Sequence, residues 1–509
     1  MSDSFNKNRI LKNSILLYVR MLFTMWLNLY ATRLVLANLG VEDMGVYGVV
    51  GSIVSMISVF TGGITKAIQR FITFELGRKD GNPNKVFCSS LNVIFVVSGI
   101  SIIILELGGL WMLYNKVDIP ERSMDAAFWV YQLSVLTCVV NLISIPYNAL
   151  VIAHEKMGAF ASISILQVIL TFLSAYCIAY FDKRLLVYGV FMAFVSIFIR
   201  IIYQVYCHRK FPESRYHFII DIPLMKQIGK FTGVSTFSGG LQTLSSSGIV
   251  FVINLTFGVA INAVYSISLQ LKNSILSFAF NIFKAISPQI TKTYASEEIE
   301  LHKKLIFGGA RLEVFMIYFI MIPFLFKTEY IMHLWLGEVP NYAVEFAQCT
   351  IFISLTYAFF EPIRTSVLAT NNISSFLVYP ELFYLFVLPV GYLVGKMTNE
   401  PLWLIIIIVG MDILTCLLRI VYAVKVAPIK MQEITQKIFI PCVSVGLLDS
   451  AICFWITDML ENSTTGFIVL LVTNSTILFL IIYIWGINSK ERILLNDFII
   501  IKIKKHIIK

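Results

Sequence analysis

Fourteen stretches of about 20 mostly apolar residues run through this chain, each long enough to carry an α-helix across a bilayer. They fall at 13–36, 46–65, 87–111, 126–152, 159–181, 185–206, 231–256, 263–284, 306–326, 343–367, 374–396, 402–424, 438–457 and 466–486. The breaks between them are polar or hold Gly and Pro, as in NLGVEDMG, KDGNPN, NKVDIPERS, FPESRYH, GEVPNY and MTNEP. Of the 509 residues, 58% are hydrophobic and 14% charged, against about 45–50% and about 25% in soluble domains. A water-soluble chain cannot bury that much apolar surface, so the expected fold class is an all-α polytopic membrane protein. A secreted disulfide scaffold, a disordered chain and a nucleic-acid binder are excluded on the same ground.

Charge sets the orientation. The formal net charge is +10, and 26 of the 40 Lys and Arg residues fall in one set of alternate loops against 6 in the other. Basic loops resist translocation and stay cytoplasmic. With an even number of spans, both termini are expected in the cytoplasm. The N-terminal MSDSFNKNRILKNS leads into an apolar run without a small-residue cleavage site, which reads as a first helix rather than a removed signal.

Catalytic chemistry finds little room. No outer loop exceeds about 15 residues, too short for the soluble domain that membrane glycosyltransferases and polymerases use. The eight cysteines include no CxxC pair, and HEKM at 154–157 lacks the second His of a zinc motif. No P-loop is present. The expectation is a protein that is not an enzyme and needs neither metal nor cofactor.

The chain repeats itself. Residues 40–68 and 258–286 align without a gap at an offset of 218, with identities that include Gly40/Gly258, Tyr47/Tyr265 and Lys66/Lys284. The two copies occupy spans 1–2 and 7–8. Six spans lie between them, so the halves share one orientation in the membrane, a parallel repeat. This predicts an N-lobe at 1–227, a C-lobe at 228–430, a central cleft, and an added segment at 431–509 with two spans and a basic tail. The tail, NSKERILLNDFIIIKIKKHIIK, alternates basic and branched apolar residues; it reads as a segment on the anionic inner leaflet, as a disordered tail, or as a segment with a simple topogenic role.

Charges inside the spans single out candidate residues. A basic side chain at mid-bilayer costs about 2.5–3.5 kcal/mol on insertion scales, so it persists where it faces a cavity, pairs with an acid or snorkels. Arg20 and Lys272 lie well inside spans 1 and 8 with no acid three or four residues away. Arg33 lies farther along span 1, on a different face. Arg364 is three residues after Glu361, which suits a local pair, yet it remains a cavity candidate. Asp412 and Arg419 are seven residues apart, about two turns, and a shared polar network is expected. Cations in a cleft would attract an anion, and phosphate suits Arg.

Several motifs together carry a family resemblance. They are LANLGVEDMGVYGVV after span 1, KAIQRFITFELGRKD after span 2, IPYNALVIAHEKM ending span 4, LWLGEVPNYAVEF before span 10, and the AVYSI start and KAISPQI end of span 8. In these the chain resembles the Wzx-type polysaccharide and O-antigen flippases of the multidrug/oligosaccharidyl-lipid/polysaccharide (MOP) exporter superfamily, with their MATE-like fold. The resemblance implies translocation of an undecaprenyl-pyrophosphate-linked oligosaccharide across the bacterial inner membrane, for lipopolysaccharide or capsule synthesis. It implies a lipid-linked pyrophosphate as partner within the phospholipid bilayer, with proton or sodium coupling and other polysaccharide-assembly membrane proteins as further partners. Relatives such as the lipid II flippase carry cationic cavity residues on spans 1 and 8, where Arg20 and Lys272 stand. Lys66, Arg70 and Lys284 match the basic cytoplasmic ends of spans 2 and 8 and would face lipid phosphates at the entrance. Plain positive-inside anchoring explains those three as well. A cation-coupled multidrug exporter of the same fold is the alternative; it calls for acids deep in the cleft, and the basic signal here is the stronger one.

Overall fold

The computed structural model describes residues 7–55, 57–115, 121–219, 221–336, 339–370, 373–487 and 491–492. Some helical side chains, Arg33 among them, lie outside the described residues. Every regular element described is helical. In chain order the α-helices are α1 (Lys7–Ser55), α2 (Ser58–Gly77), α3 (Pro83–Ile104), α4 (Leu110–Asn115), α5 (Glu121–Ala153), α6 (Met157–Cys177), α7 (Arg184–Lys210), α8 (Ile222–Ala295) and α9 (Ile299–Phe326). There follow α10 (Thr328–Leu336), α11 (Ala343–Ala369), α12 (Ser374–Tyr384), α13 (Val387–Thr398), α14 (Pro401–Val426), α15 (Met431–Ile434), α16 (Ile440–Thr457) and α17 (Thr464–Ile481).

Eleven helices among the described residues are long and apolar enough to cross a membrane. They match eleven of the fourteen expected spans, and the chain is a multi-pass membrane protein. The other three segments also lie on helices: 13–36 within α1, 46–65 in the end of α1 and the start of α2, and 263–284 in the second half of α8. Local chemistry explains where several helices begin. Asn82 accepts the Lys85 N–H at 3.0 Å and Pro83 takes the first position of α3, a position that needs no N–H donor. Asp221 does the same for α8, accepting the Leu224 N–H at 2.9 Å ahead of Pro223. It also pairs with Lys85, and that hydrogen bond holds its carboxyl below the usual carboxylate range.

The chain divides into two compact units. One is Met1–Gly240 with Lys284–Glu298; the other is Leu241–Phe283 with Ile299–Lys509. The core of the first gathers Val50, Val130, Tyr131 and Leu113, all fully buried. Tyr131 donates its hydroxyl to the Leu105 carbonyl at 2.7 Å, where the chain between α3 and α4 widens into a single π turn, Leu105–Gly109. The core of the second gathers Ile253, Phe346, Ala347 and Ile405. α1 and α8 are each interrupted by one residue with non-helical backbone angles, Gly40 and Gly258.

Candidate functional site

Within the first unit, α2, α5, α6, α7 and the second half of α8 line an open cavity of about 430 Å³. Its wall follows helical spacing. α2 contributes Thr65 and Gln69, α5 contributes Asn141, Ser144 and Asn148, α6 contributes Phe160, Ser164 and Gln167, and α7 contributes Ser196 and Tyr203. Residues three and four apart share a helix face, so each helix turns a polar stripe inward. Among the described residues, no Asp or Glu lines the cavity. A second cavity of about 420 Å³ shares Thr65, Asn141 and Ile145 with the first and extends past Thr61, Ser134, Thr137 and Tyr47.

Two cations meet at one ring beside this polar wall. The Arg20 guanidinium of α1 lies 5.0 Å from the centroid of Phe160, and the Lys284 ammonium of α8 lies 4.2 Å from the same centroid. They are close enough to repel one another. The negative ring face attracts each cation by about 0.5–2 kcal/mol and so offsets part of that repulsion. Lys284 lines the cavity, and among the described residues it has no ion-pair partner. Two turns farther along α8 the helix is anchored. Lys292 pairs with Glu155 at 3.0 Å and Gln289 donates to the same carboxylate at 3.2 Å. Glu155 sits in the turn between α5 and α6 with φ +57°. Beside it His154 bonds Glu213 and stacks on Phe211, with centroids 4.1 Å apart. An anion that entered the cavity would meet the Lys284 ammonium, with Arg20 over the same Phe160 ring and, among the described residues, no competing carboxylate on the wall.

The residues singled out from the sequence fall into several environments. Arg20 and Lys284 come together. Lys66, the repeat partner of Lys284, is exposed on α2. Arg70 is only 6% exposed and packs against Phe71, Phe74 and Phe231, with 4.5, 4.8 and 5.7 Å to the ring centroids. The Arg33 side chain lies outside the described residues. In the second unit Lys272 lies 5.6 Å from the Tyr357 centroid and, among the described residues, has no ion-pair partner. Arg364 pairs with Glu361 at 3.1 Å, one turn away on α11. Asp412 and Arg419 do not bond each other. Asp412 accepts from Thr356 of α11, and Arg419 donates to Glu381 of α12 at 2.6 Å. The four groups are close enough to interact electrostatically.

Charge counting missed the neutral wall. Phe160, Asn141, Gln167, Ser196 and Tyr203 carry no charge, and none stood out among the basic residues. The signal was present in the spacing 134, 137, 141, 144, 148 on span 4, where Ser, Thr and Asn recur at three- and four-residue steps inside an apolar run.

No family model and no curated protein matches the chain. Solved structures do. A crystal structure of a MATE point mutant aligns with TM-score 0.67 at 14% identity, over 82% of this chain and 94% of that one. An outward-facing multidrug resistance MATE family transporter of the MOP superfamily aligns with TM-score 0.65 at 15% identity, over 82% and 94%. A MOP superfamily transporter from Pyrococcus furiosus, described by a reversed polarity of its binding pocket that suggests a different function, aligns with TM-score 0.63 at 14% identity, again over 82% and 94%. At such identities the likeness speaks for architecture, and on that basis the chain has the fold of the MATE-type transporters of the MOP superfamily.

Proposed function

We propose that this protein is a flippase of the bacterial inner membrane. It moves an undecaprenyl-pyrophosphate-linked oligosaccharide from the cytoplasmic to the periplasmic leaflet by alternating access, for surface polysaccharide synthesis. The observation that carries this reading is the Arg20–Phe160–Lys284 arrangement beside a polar cavity that, among the described residues, no carboxylate lines. A pyrophosphate needs cationic groups, a glycan needs hydroxyl and amide partners, and the polyprenyl tail stays in lipid. On this reading Arg20 and Lys284 hold phosphate, with Arg33, Lys272 and Arg364 as further cavity cations and Lys66 and Arg70 at the cytoplasmic entrance. Asp412 and Arg419 belong to a supporting polar network. The lobes are 1–227 and 228–430, both termini are cytoplasmic, and transport rather than bond chemistry is the activity. A proton or sodium gradient drives it. For the Pyrococcus furiosus neighbour, reversed pocket polarity is the stated ground for a different function; the basic cavity here invites the same line of thought.

A second reading, a cation-coupled multidrug exporter, is favoured by the description of one neighbour as a multidrug resistance transporter and by the buried Asp412. One experiment separates the two. Cells lacking their own flippase receive wild type, Arg20→Ala, Lys272→Ala or Lys284→Ala at matched membrane levels, and periplasmic delivery of the lipid-linked glycan is scored. Rescue by wild type and at least tenfold loss in Arg20→Ala and Lys284→Ala is the expected result. No rescue by wild type, with resistance to cationic drugs gained instead, overturns the flippase reading.

A further inference from the structure

The unit 1 cavity carries more hydrogen-bonding capacity than phosphate binding requires. Among the described residues, the side chains of Gln69, Asn141, Ser144, Gln167 and Ser196 have no protein hydrogen-bond partner; all five line the same space, with Asn141 and Gln167 exposed. The neighbouring polar groups behave differently. Thr65 bonds the Thr61 carbonyl at 2.8 Å, Ser164 bonds the Phe160 carbonyl at 2.8 Å, and Asn148 reaches the Tyr203 hydroxyl at 3.4 Å. Three amides and two hydroxyls therefore turn their donors and acceptors into the cavity rather than onto the helices that bear them. Amides offer two donors and an acceptor each, the complement of a ring that bears hydroxyls which both donate and accept. An aqueous cleft would be served by any polar side chains. This wall is neutral throughout, and its charge is confined to the Lys284 end. Ligand pockets of about 300–1,000 Å³ hold drug-sized molecules, so about 430 Å³ has room for the sugar nearest the phosphate.

We infer that Gln69, Asn141, Ser144, Gln167 and Ser196 form a subsite for the phosphate-proximal sugar, an uncharged hexose or N-acetylhexosamine, with Lys284 and Arg20 on the phosphate beside it. This rests on the flippase reading and deepens it. Asn141 has a special place, because it also lines the second cavity. A glycan that extends beyond the first sugar continues past Asn141 toward Thr137 and Ser134.

The test uses the full-length protein in nanodiscs and three probes: undecaprenyl pyrophosphate without sugar, the same lipid bearing N-acetylglucosamine, and the same lipid bearing galactose. Affinities are measured for wild type, Asn141→Leu, Gln167→Leu and Lys284→Gln. Wild type should bind at least one sugar-bearing probe about tenfold more tightly than the bare lipid. Asn141→Leu and Gln167→Leu, close in size to the native side chains, should abolish that difference and leave the bare-lipid affinity unchanged. That unchanged affinity also reports correct folding. Lys284→Gln should weaken all three probes together. If wild type binds the bare lipid but gains nothing from either sugar, or if the Leu variants weaken all probes alike, the subsite is wrong and the flippase reading stands. If wild type binds none of the three, the flippase reading fails and the subsite with it.

Discussion

Gly40 and Gly258 stand 218 residues apart and hold the same backbone conformation, φ 80° and ψ 174° at one and φ 79° and ψ −172° at the other. This region of backbone space is open to glycine almost alone. A Cβ at either position would meet no heavy atom within 4 Å, so the restriction is one of backbone and not of space. The repeat that the sequence alignment paired at these two residues is thus a repeat of geometry, in which each glycine breaks a long helix at the same point of its copy. Gly40→Ala and Gly258→Ala should each destabilise the protein by about 1–3 kcal/mol. Thermal unfolding in detergent checks this, and similar losses at both sites are expected. A loss at one site alone would argue that the two breaks are not equivalent.

Phe160 holds two like charges on one ring. Phe160→Leu keeps the apolar bulk and removes the quadrupole. Loss of a cation–π contact is worth about 0.5–2 kcal/mol, so pyrophosphate-lipid affinity should fall roughly 2- to 30-fold. Phe160→Tyr should retain most of it. Binding of undecaprenyl pyrophosphate measures the change, and an unaltered affinity in Phe160→Leu would remove the ring from the account.

His154 predicts a pH dependence. Burial holds its imidazole below the ordinary value, and the hydrogen bond to Glu213 counters that shift only in part. Lys292 and Lys156 also disfavour the protonated ring. Face-to-face packing on Phe211 accounts for the lost hydration, and burial outweighs the carboxylate. The folded chain therefore binds this proton less readily than the unfolded chain, whose His titrates near pH 6.5. The stabilising contribution is complete above about pH 6.5 and is lost as pH falls toward the depressed folded value. Melting temperatures between pH 7.5 and 5 should decline, and His154→Gln should decline less steeply over that interval. Parallel curves would show that the ring does not titrate in this way.

Two buried acids in the second unit are opposite cases. Glu381 receives the Arg419 guanidinium at 2.6 Å. Removing one partner of such a pair costs about 3–5 kcal/mol, whereas replacing both is often neutral. Arg419→Leu alone should be strongly destabilising, and Arg419→Leu with Glu381→Leu should recover most of the loss in denaturant unfolding.

Glu313 is 1% exposed, and neither carboxyl oxygen has a hydrogen-bond partner among the described residues. A buried polar group without a partner costs about 1–3 kcal/mol, so Glu313→Leu should stabilise the protein by a similar amount in the same assay. Destabilisation instead would mean that the carboxyl serves a contact made in another state.

Much of this architecture follows from one-dimensional facts. Runs of about 20 apolar residues must become helices, because a bilayer leaves no other partner for backbone N–H and C=O groups. The offset between 40–68 and 258–286 located both helix breaks, because the glycine that permits a broken helix is itself a letter in the sequence. Charge inside a span marked Arg20 and Lys272 as cavity candidates, whereas Lys284 read as a residue of the cytoplasmic end of span 8. The partners of those charges were not legible. Asp412 and Arg419 are two turns apart on one helix, yet their bonds go to Thr356 and Glu381 on other helices. Lys66 and Lys284 are equivalent in the repeat, yet one is exposed and the other lies over Phe160. Sequence by itself determined which segments are helical, where they break and which spans hold charge, since burial in lipid and backbone sterics act locally. Tertiary packing alone decided which stripes face one another, because that depends on how helices far apart in the chain rotate to bury their own surfaces. The union of Arg20, Phe160 and Lys284 beside a neutral polar wall is a product of that second step.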